Sequence, residues 1–301
     1  MKNTSPFLAL PLTISLLSAA VASSTATAAD ESVPAGQRIF TCGHSFHVFT
    51  YQQVAEIARL AGITDHQLVG ISSIGGSRVI QHWKVPDEKN AAKAALRAGK
   101  VDFLTLSPIW LPDEGIENFV KLGLAHQPDL RVTVQEYWLP NDEYVPVYPL
   151  QTKKPTDHNA TDLAKLRADN ARYAKDIEDL VRGINQRAGK NAVVVVPVGL
   201  AASALREKIA AGEAPGLKDQ WSLFRDPWGH ALAPLQMLSS YCHFAVIYRR
   251  SPVGLPRPSA FKSLTHMSQA DQEKLNHLLQ ELAWEAVSTH PMTGLTSGTK
   301  P

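Results

Sequence analysis

Short apolar runs alternate with amphipathic stretches along most of the chain. Residues 39–42 are a short apolar run. Residues 51–60 then carry Val54, Ile57 and Ala58, with Ala61 following at helical spacing and Gly62 closing the stretch. A strand followed by a helix is therefore predicted. The same reading predicts strands at 66–71, 101–106, 131–137 and 191–198, the last holding five valines. It predicts helices at 90–98, 113–126, 161–188, 202–211, 234–248 and 269–287. Thr161 or Asp162 caps the longest helix, and Ser268 caps the last, whose Leu275, Leu278, Leu279 and Leu282 share one face. Strands separated by helices throughout predict a parallel sheet with helices on both faces, in one layered domain over residues 33–288. Residues 140–155 are proline-rich and irregular, long enough for a functional loop over one face. The tail at 289–301 is expected to be disordered.

Composition narrows the class. The 301 residues are 44% hydrophobic and 19% charged, with net charge +2, enough for one sizeable core. No basic patch interleaved with aromatics is present, so nucleic acid is set aside as a partner. Lys2, the apolar stretch 7–21 and Ala26-Thr27-Ala28 read as a secretory signal peptide over residues 1–29, cut after Ala28 or Ala29. That stretch is shorter than the roughly 20 residues a spanning helix needs, and no later segment reaches membrane length. A secreted or periplasmic protein without a membrane span is expected. Cys42 and Cys242 could form one disulfide in an oxidising compartment, although the apolar surroundings of both suit buried thiols. No cofactor is implied, and oligomeric state is not specified.

Candidate chemistry clusters after the strands. Gly43-His44-Ser45 sets a hydroxyl on the first strand-to-helix turn, at the sheet edge where parallel α/β proteins bind ligands. Ser45 reads as a nucleophile or an N-cap. Gly75 and Gly76 follow the second strand, where Gly76 could bring a main-chain N–H close to an oxyanion or simply make a turn. Asp226 and His230 flank Pro-Trp-Gly, which cannot continue a helix, so acid and imidazole share one loop. Asp226 could then orient His230 as a general base. His44 and His47 could pair on a metal with His82 or His243, but no usual zinc spacing accompanies them, and they better suit the pocket rim. Trp83, Trp110, Trp138 and Trp228 fall after strands and could stack on a sugar ring or acyl chain, or pack the core.

On these pieces the chain resembles the SGNH (GDSL-type) hydrolases, over residues 38–255. Gly43-His44-Ser45-Phe46 resembles the first family block in its GNSF form, with histidine in place of asparagine. Ile74-Gly75-Gly76-Ser77 resembles the second, and residues 197–201 the strand end preceding the last. Asp226 to His230, the following helix and Ser251-Pro252 resemble the last block itself. The resemblance implies a flavodoxin-like three-layer α/β/α sandwich and a serine esterase of carboxylic, chiefly acetyl, esters, as on carbohydrate. Ser45 would attack, His230 would serve as base and then acid, and Asp226 would orient it. Amides of Ser45 and Gly76 would hold the oxyanion, and His44, Trp83, Trp110, Trp138 and Trp228 would meet an ester of a small molecule or carbohydrate. There are two departures. Three residues rather than two separate Asp226 from His230. The third-block asparagine, an oxyanion donor, has Ser107 nearest its place, with Gln135 and Asn141 as outside candidates. These departures would suit a catalytically lapsed module that binds glycan or assists a neighbouring enzyme, the competing expectation.

Overall fold

The computed structural model describes residues 1, 33–145 and 155–295, so the expected signal peptide, apart from Met1, lies outside the described residues. From Val33 onward the chain is one compact unit. It is an α/β fold with a five-stranded sheet in the order β2-β1-β3-β4-β5. Its strands are β1 (Arg38–Gly43), β2 (Gln67–Ser73), β3 (Phe103–Leu106), β4 (Arg131–Glu136) and β5 (Val193–Pro197), all parallel. The order reverses between β1 and β3. At such a switch point the connections leave in opposite directions and open a crevice beyond the strand ends.

Helices α1 (Thr50–Leu60), α6 (Val198–Ala210), α7 (Ala233–Tyr248) and α8 (Gln269–Thr289) pack as one group. A second group comprises α2 (Val79–Trp83), α3 (Ala91–Arg97) and α4 (Glu114–His126), and α5 (Leu163–Ala188) lies on β4 and β5. The central helix α7 is buried over nearly its whole length, which its almost uninterrupted apolar sequence allows. Asp162 caps α5 by accepting the N–H groups of Ala164 and Lys165, and Ser268 caps α8. Cys42 and Cys242 are buried free thiols. Among the described residues no helix is long and apolar enough to cross a membrane.

Three expectations change. Helix α2 was not predicted: it is five residues long and its start is held from a distance by Asp113, whose carboxylate accepts N–H groups from Val79, Ile80 and Gly115. Gly115 permits this approach, since a Cβ there would lie 2.3 Å from the Ile80 nitrogen. The predicted strand 191–198 stops at Pro197, and α6 starts at once. A Cβ on Gly199 would fall 2.8 Å from a Glu136 oxygen, so only glycine lets this turn lie against β4. The tail expected to be disordered packs as far as Leu295: the Met292 carbonyl accepts the Val195 N–H on the outer edge of β5, and Thr293 is buried. Residues 296–301 lie outside the described ones.

Glu136 closes β4 in a buried position with one carboxyl oxygen unpartnered. Burial, reinforced by Glu178, pushes its pKa up to about 8. Between the ordinary carboxyl range and that value the folded chain keeps a proton that the unfolded chain releases, so stability falls as pH rises through this window. Glu136→Gln is therefore expected to gain about 1–2 kcal/mol at pH 8 and little at pH 4. Urea unfolding at the two pH values measures this, and an equal change at both would contradict it.

Candidate active site

The first turn after β1 presents Ser45 to solvent between the buried side chains of His44 and Phe46. Hydrogen bonds from the N–H groups of His47 and Val48 to the His44 carbonyl coil the turn into α1. A Cβ on Gly43 would sit 2.6 Å from the His47 ring, so the glycine is what allows His47 to fold back beneath the turn.

Asp226 and His230 sit on a narrow hairpin bridged at its base by Phe224 and Ala231. The Gly229 N–H donates to the Asp226 carbonyl, and the Arg225 N–H to that of His230. One Asp226 oxygen accepts the N–H groups of Trp228 and His230, at 3.1 and 3.2 Å, and the other lies 2.7 Å from His230 Nδ1. His230 Nε2 is 2.9 Å from Ser45 Oγ. Partial burial alone would raise the Asp226 pKa, but hydrogen bonds from His230, then from Trp228, outweigh it and hold the carboxyl below its usual range. The longer Asp–His spacing is thus absorbed by the turn, with Gly229 at φ +90°.

Gly229 was not foreseen, although a glycine inside a five-residue acid–imidazole segment signals a positive φ. A Cβ there would meet nothing nearer than 3.7 Å, so alanine is penalised by backbone conformation and not by a clash. Gly229→Ala is expected to cost on the order of 1–3 kcal/mol of local strain. By displacing His230 it should lower the turnover of any reaction that uses the pair about 10- to 100-fold. Steady-state kinetics would show it, and an unchanged kcat would count against this geometry.

A cavity of about 260 Å³ opens over Ser45, walled by His44, Phe46, Gly76, Ile109, Trp110, Pro140, Trp228 and His230. A larger one, about 740 Å³, lies between the end of α5 and residues 291–294, but among the described residues no serine, cysteine or histidine lines it. Among the described residues no acceptor takes the N–H of Ser45 or of Gly76, and Gly76 has φ +59°. The glycine loop is tied to the Ser45 strand by the Ile74 N–H on the Gly43 carbonyl. Beneath it, His82 links Ser72 and Ser77, at 2.7 and 2.8 Å.

The other predicted residues divide. Trp110 and the half-exposed Trp228 line the cavity. Trp83 does not: it lies on α2, edge-on to Phe119 and beneath the Lys93 ammonium. Trp138 is also outside it, stacked on Phe46, which in turn meets His230 edge-on; its indole donates to the Gly229 carbonyl at 2.8 Å. It backs Phe46 and holds the Gly229 end of the hairpin. Ser107 is buried under His44 at 3.2 Å and does not reach the cavity. Gln135 is buried, taking hydrogen bonds from His47 and His243 and donating to the Phe46 carbonyl. Asn141 opens onto a neighbouring cavity.

His44 and His47 do not converge on a common ligand. The ring of His44 accepts the Phe46 N–H and meets Ser107, while that of His47 spans Gln135 and Thr105. Burial, then neighbouring imidazoles, pushes the His44 pKa down to about 3, and burial pushes His47 to about 4. Both rings are neutral struts at physiological pH. Among the described residues no group of three or more His, Cys, Asp or Glu is placed to hold a metal ion.

Together these features define a doubly wound α/β protein with a Ser-His-Asp constellation at its topological switch point. No protein-family model matches the sequence, and no curated protein does. Among solved structures, the chain is similar to a DUF4886 family protein from Bacteroides uniformis, with TM-score 0.53 and 14% identity over 88% of this chain and 99% of that one. It is also similar to a Slackia heliotrinireducens protein described as "a putative SGNH hydrolase", with TM-score 0.41 and 15% identity over 69% of this chain and 97% of that one. The first of these likenesses is one of fold.

Proposed function

We propose that the protein is an exported, SGNH-like serine hydrolase of carboxylic esters. The observation that carries this reading is the unbroken line from Asp226 through His230 to Ser45 Oγ, at 2.7 and 2.9 Å. Asp226 holds the Nδ1–H, which leaves Nε2 as the acceptor for the serine proton. As Oγ bonds to the acyl carbon, Nε2 takes that proton, and the N–H groups of Ser45 and Gly76 receive the oxyanion. His230 then passes the proton to the departing alcohol oxygen. A water, deprotonated by the same imidazole, releases the acid and restores Ser45.

The cavity supports a small, uncharged acyl group. It holds about 260 Å³, and among the described residues no Lys, Arg, Asp or Glu lines it. That favours acetyl over a succinyl or phosphoryl group, whose charge would be desolvated without a partner. Trp228 stands at the rim, 47% exposed, a platform on which the sugar ring of an acetylated carbohydrate could stack. A lapsed glycan-binding module would have no use for an imidazole held within hydrogen-bond reach of an exposed hydroxyl. The test is p-nitrophenyl acetate hydrolysis, with fluorophosphonate labelling and peptide mapping. Label on the Ser45 peptide is expected, and a wild-type protein unlabelled there would overturn the proposal.

A further inference from the structure

We propose that His158 is a positioning residue for the acid–imidazole hairpin. It would set the catalytic geometry by gripping the main-chain carbonyl of Asp226 from below. The inference rests on the hydrolase reading for its effect on rate, and on contacts alone for its effect on structure. His158 is buried in a short helical turn, with Phe224 4.2 Å from one side of its ring and Trp221 4.7 Å away. Its Nε2 lies 3.0 Å from the Asp226 carbonyl oxygen. A carbonyl only accepts, so Nε2 donates here, as Nδ1 does to the carboxylate on the other side of the ring.

The other ring nitrogen is 2.9 Å from Asp142, whose carboxylate also receives two hydrogen bonds from Arg206, at 2.6 and 3.0 Å, and one from Thr161. Burial alone would raise the Asp142 pKa, but hydrogen bonds from His158 and then Arg206 outweigh it and hold the carboxyl below its usual range. Arg206 is itself fixed by Gln220 and by the His158 carbonyl. The imidazole is therefore rooted in a saturated buried network and has no freedom to swing.

His158 is one of three grips on the same hairpin. Asn141 donates its N–H to the Trp228 carbonyl, and Trp138 its indole N–H to that of Gly229. Asn141 and Asp142 hold φ values of +53° and +54°, which non-glycine residues adopt only at a cost in backbone energy. The network enforces this strained corner, and the corner aims both the Asn141 N–H and the Asp142 carboxylate. Of the three grips, His158 acts on the carbonyl of the acid itself, which also takes the Gly229 N–H. Losing it would let the Asp226 end of the turn lift from His230.

The test combines a spectroscopic and a kinetic readout. In the wild type the His230 Nδ1–H, shielded by Asp226, should give a low-field proton NMR signal, assigned by its loss in His230→Gln. In His158→Phe the signal is expected to vanish through solvent exchange. kcat for p-nitrophenyl acetate should fall about 10- to 100-fold while KM stays within about threefold. In an Asp226→Asn background the same change should have no further effect on kcat, because it acts through Asp226. His158→Gln, which can offer an amide N–H in place of Nε2–H, should keep the signal and most of the activity. It carries the test if the Phe variant does not fold.

A retained low-field signal in His158→Phe, losses that multiply in the double variant, or loss of the signal in His158→Gln would each overturn the proposal. Failure of the hydrolase reading would show separately, as a wild type that neither turns over ester nor takes label. The NMR comparison would then still decide the role of His158.

Discussion

Replacing Ser45 with alanine is expected to lower kcat for p-nitrophenyl acetate by about 10⁴- to 10⁶-fold, with fluorophosphonate labelling abolished. The size follows from geometry. Among the described residues of the cavity wall the hydroxyl is Ser45's alone, and His230 Nε2 is already 2.9 Å from it. Without Oγ, the imidazole can only activate water, leaving whatever rate enhancement the main-chain N–H groups and binding supply. Ser45 is exposed, so the melting temperature should barely move. A variant that is folded, unlabelled and still within tenfold of wild type would place the reaction elsewhere.

The second large effect is on stability. Arg206→Met is expected to cost about 3–5 kcal/mol, because it removes the main cationic partner of the buried Asp142. Arg206 and Asp142 are both buried, and the guanidinium spends its donors on Asp142, Gln220 and the His158 carbonyl. Total stabilities of domains are typically about 5–15 kcal/mol, so the loss should be plain in urea unfolding. Combining Arg206→Met with Asp142→Asn should recover part of it, since the uncompensated charge is then gone. A loss below about 1 kcal/mol for Arg206→Met alone would show that the carboxylate is satisfied without the guanidinium.

Much of the scaffold was legible in the chain because local pattern and global fold agree. The valine run of β5, the periodicity of α5 with Asp162 before it, and the strand–glycine–serine turn all form where propensity puts them. What was hidden depends on distant partners. Helix α2 has its start held by a carboxylate more than thirty residues away, and the boundary of β5 is set by the space beside Glu136. Tryptophans are large enough to serve either packing or a cavity wall, and only the tertiary placement separates Trp110 and Trp228 from Trp83 and Trp138. Asp142, His158 and Arg206 are scattered over 64 positions, with no local spacing to join them.

The constellation draws on two bodies with different footings. Ser45 and Gly76 follow sheet strands, whereas Asp226 and His230 ride a hairpin moored through three main-chain oxygens to Trp138, Asn141 and His158. The hairpin is therefore held to the rest of the site by a few hydrogen bonds and not by sheet pairing. Undocking so short a ribbon is expected to cost less free energy than melting the domain.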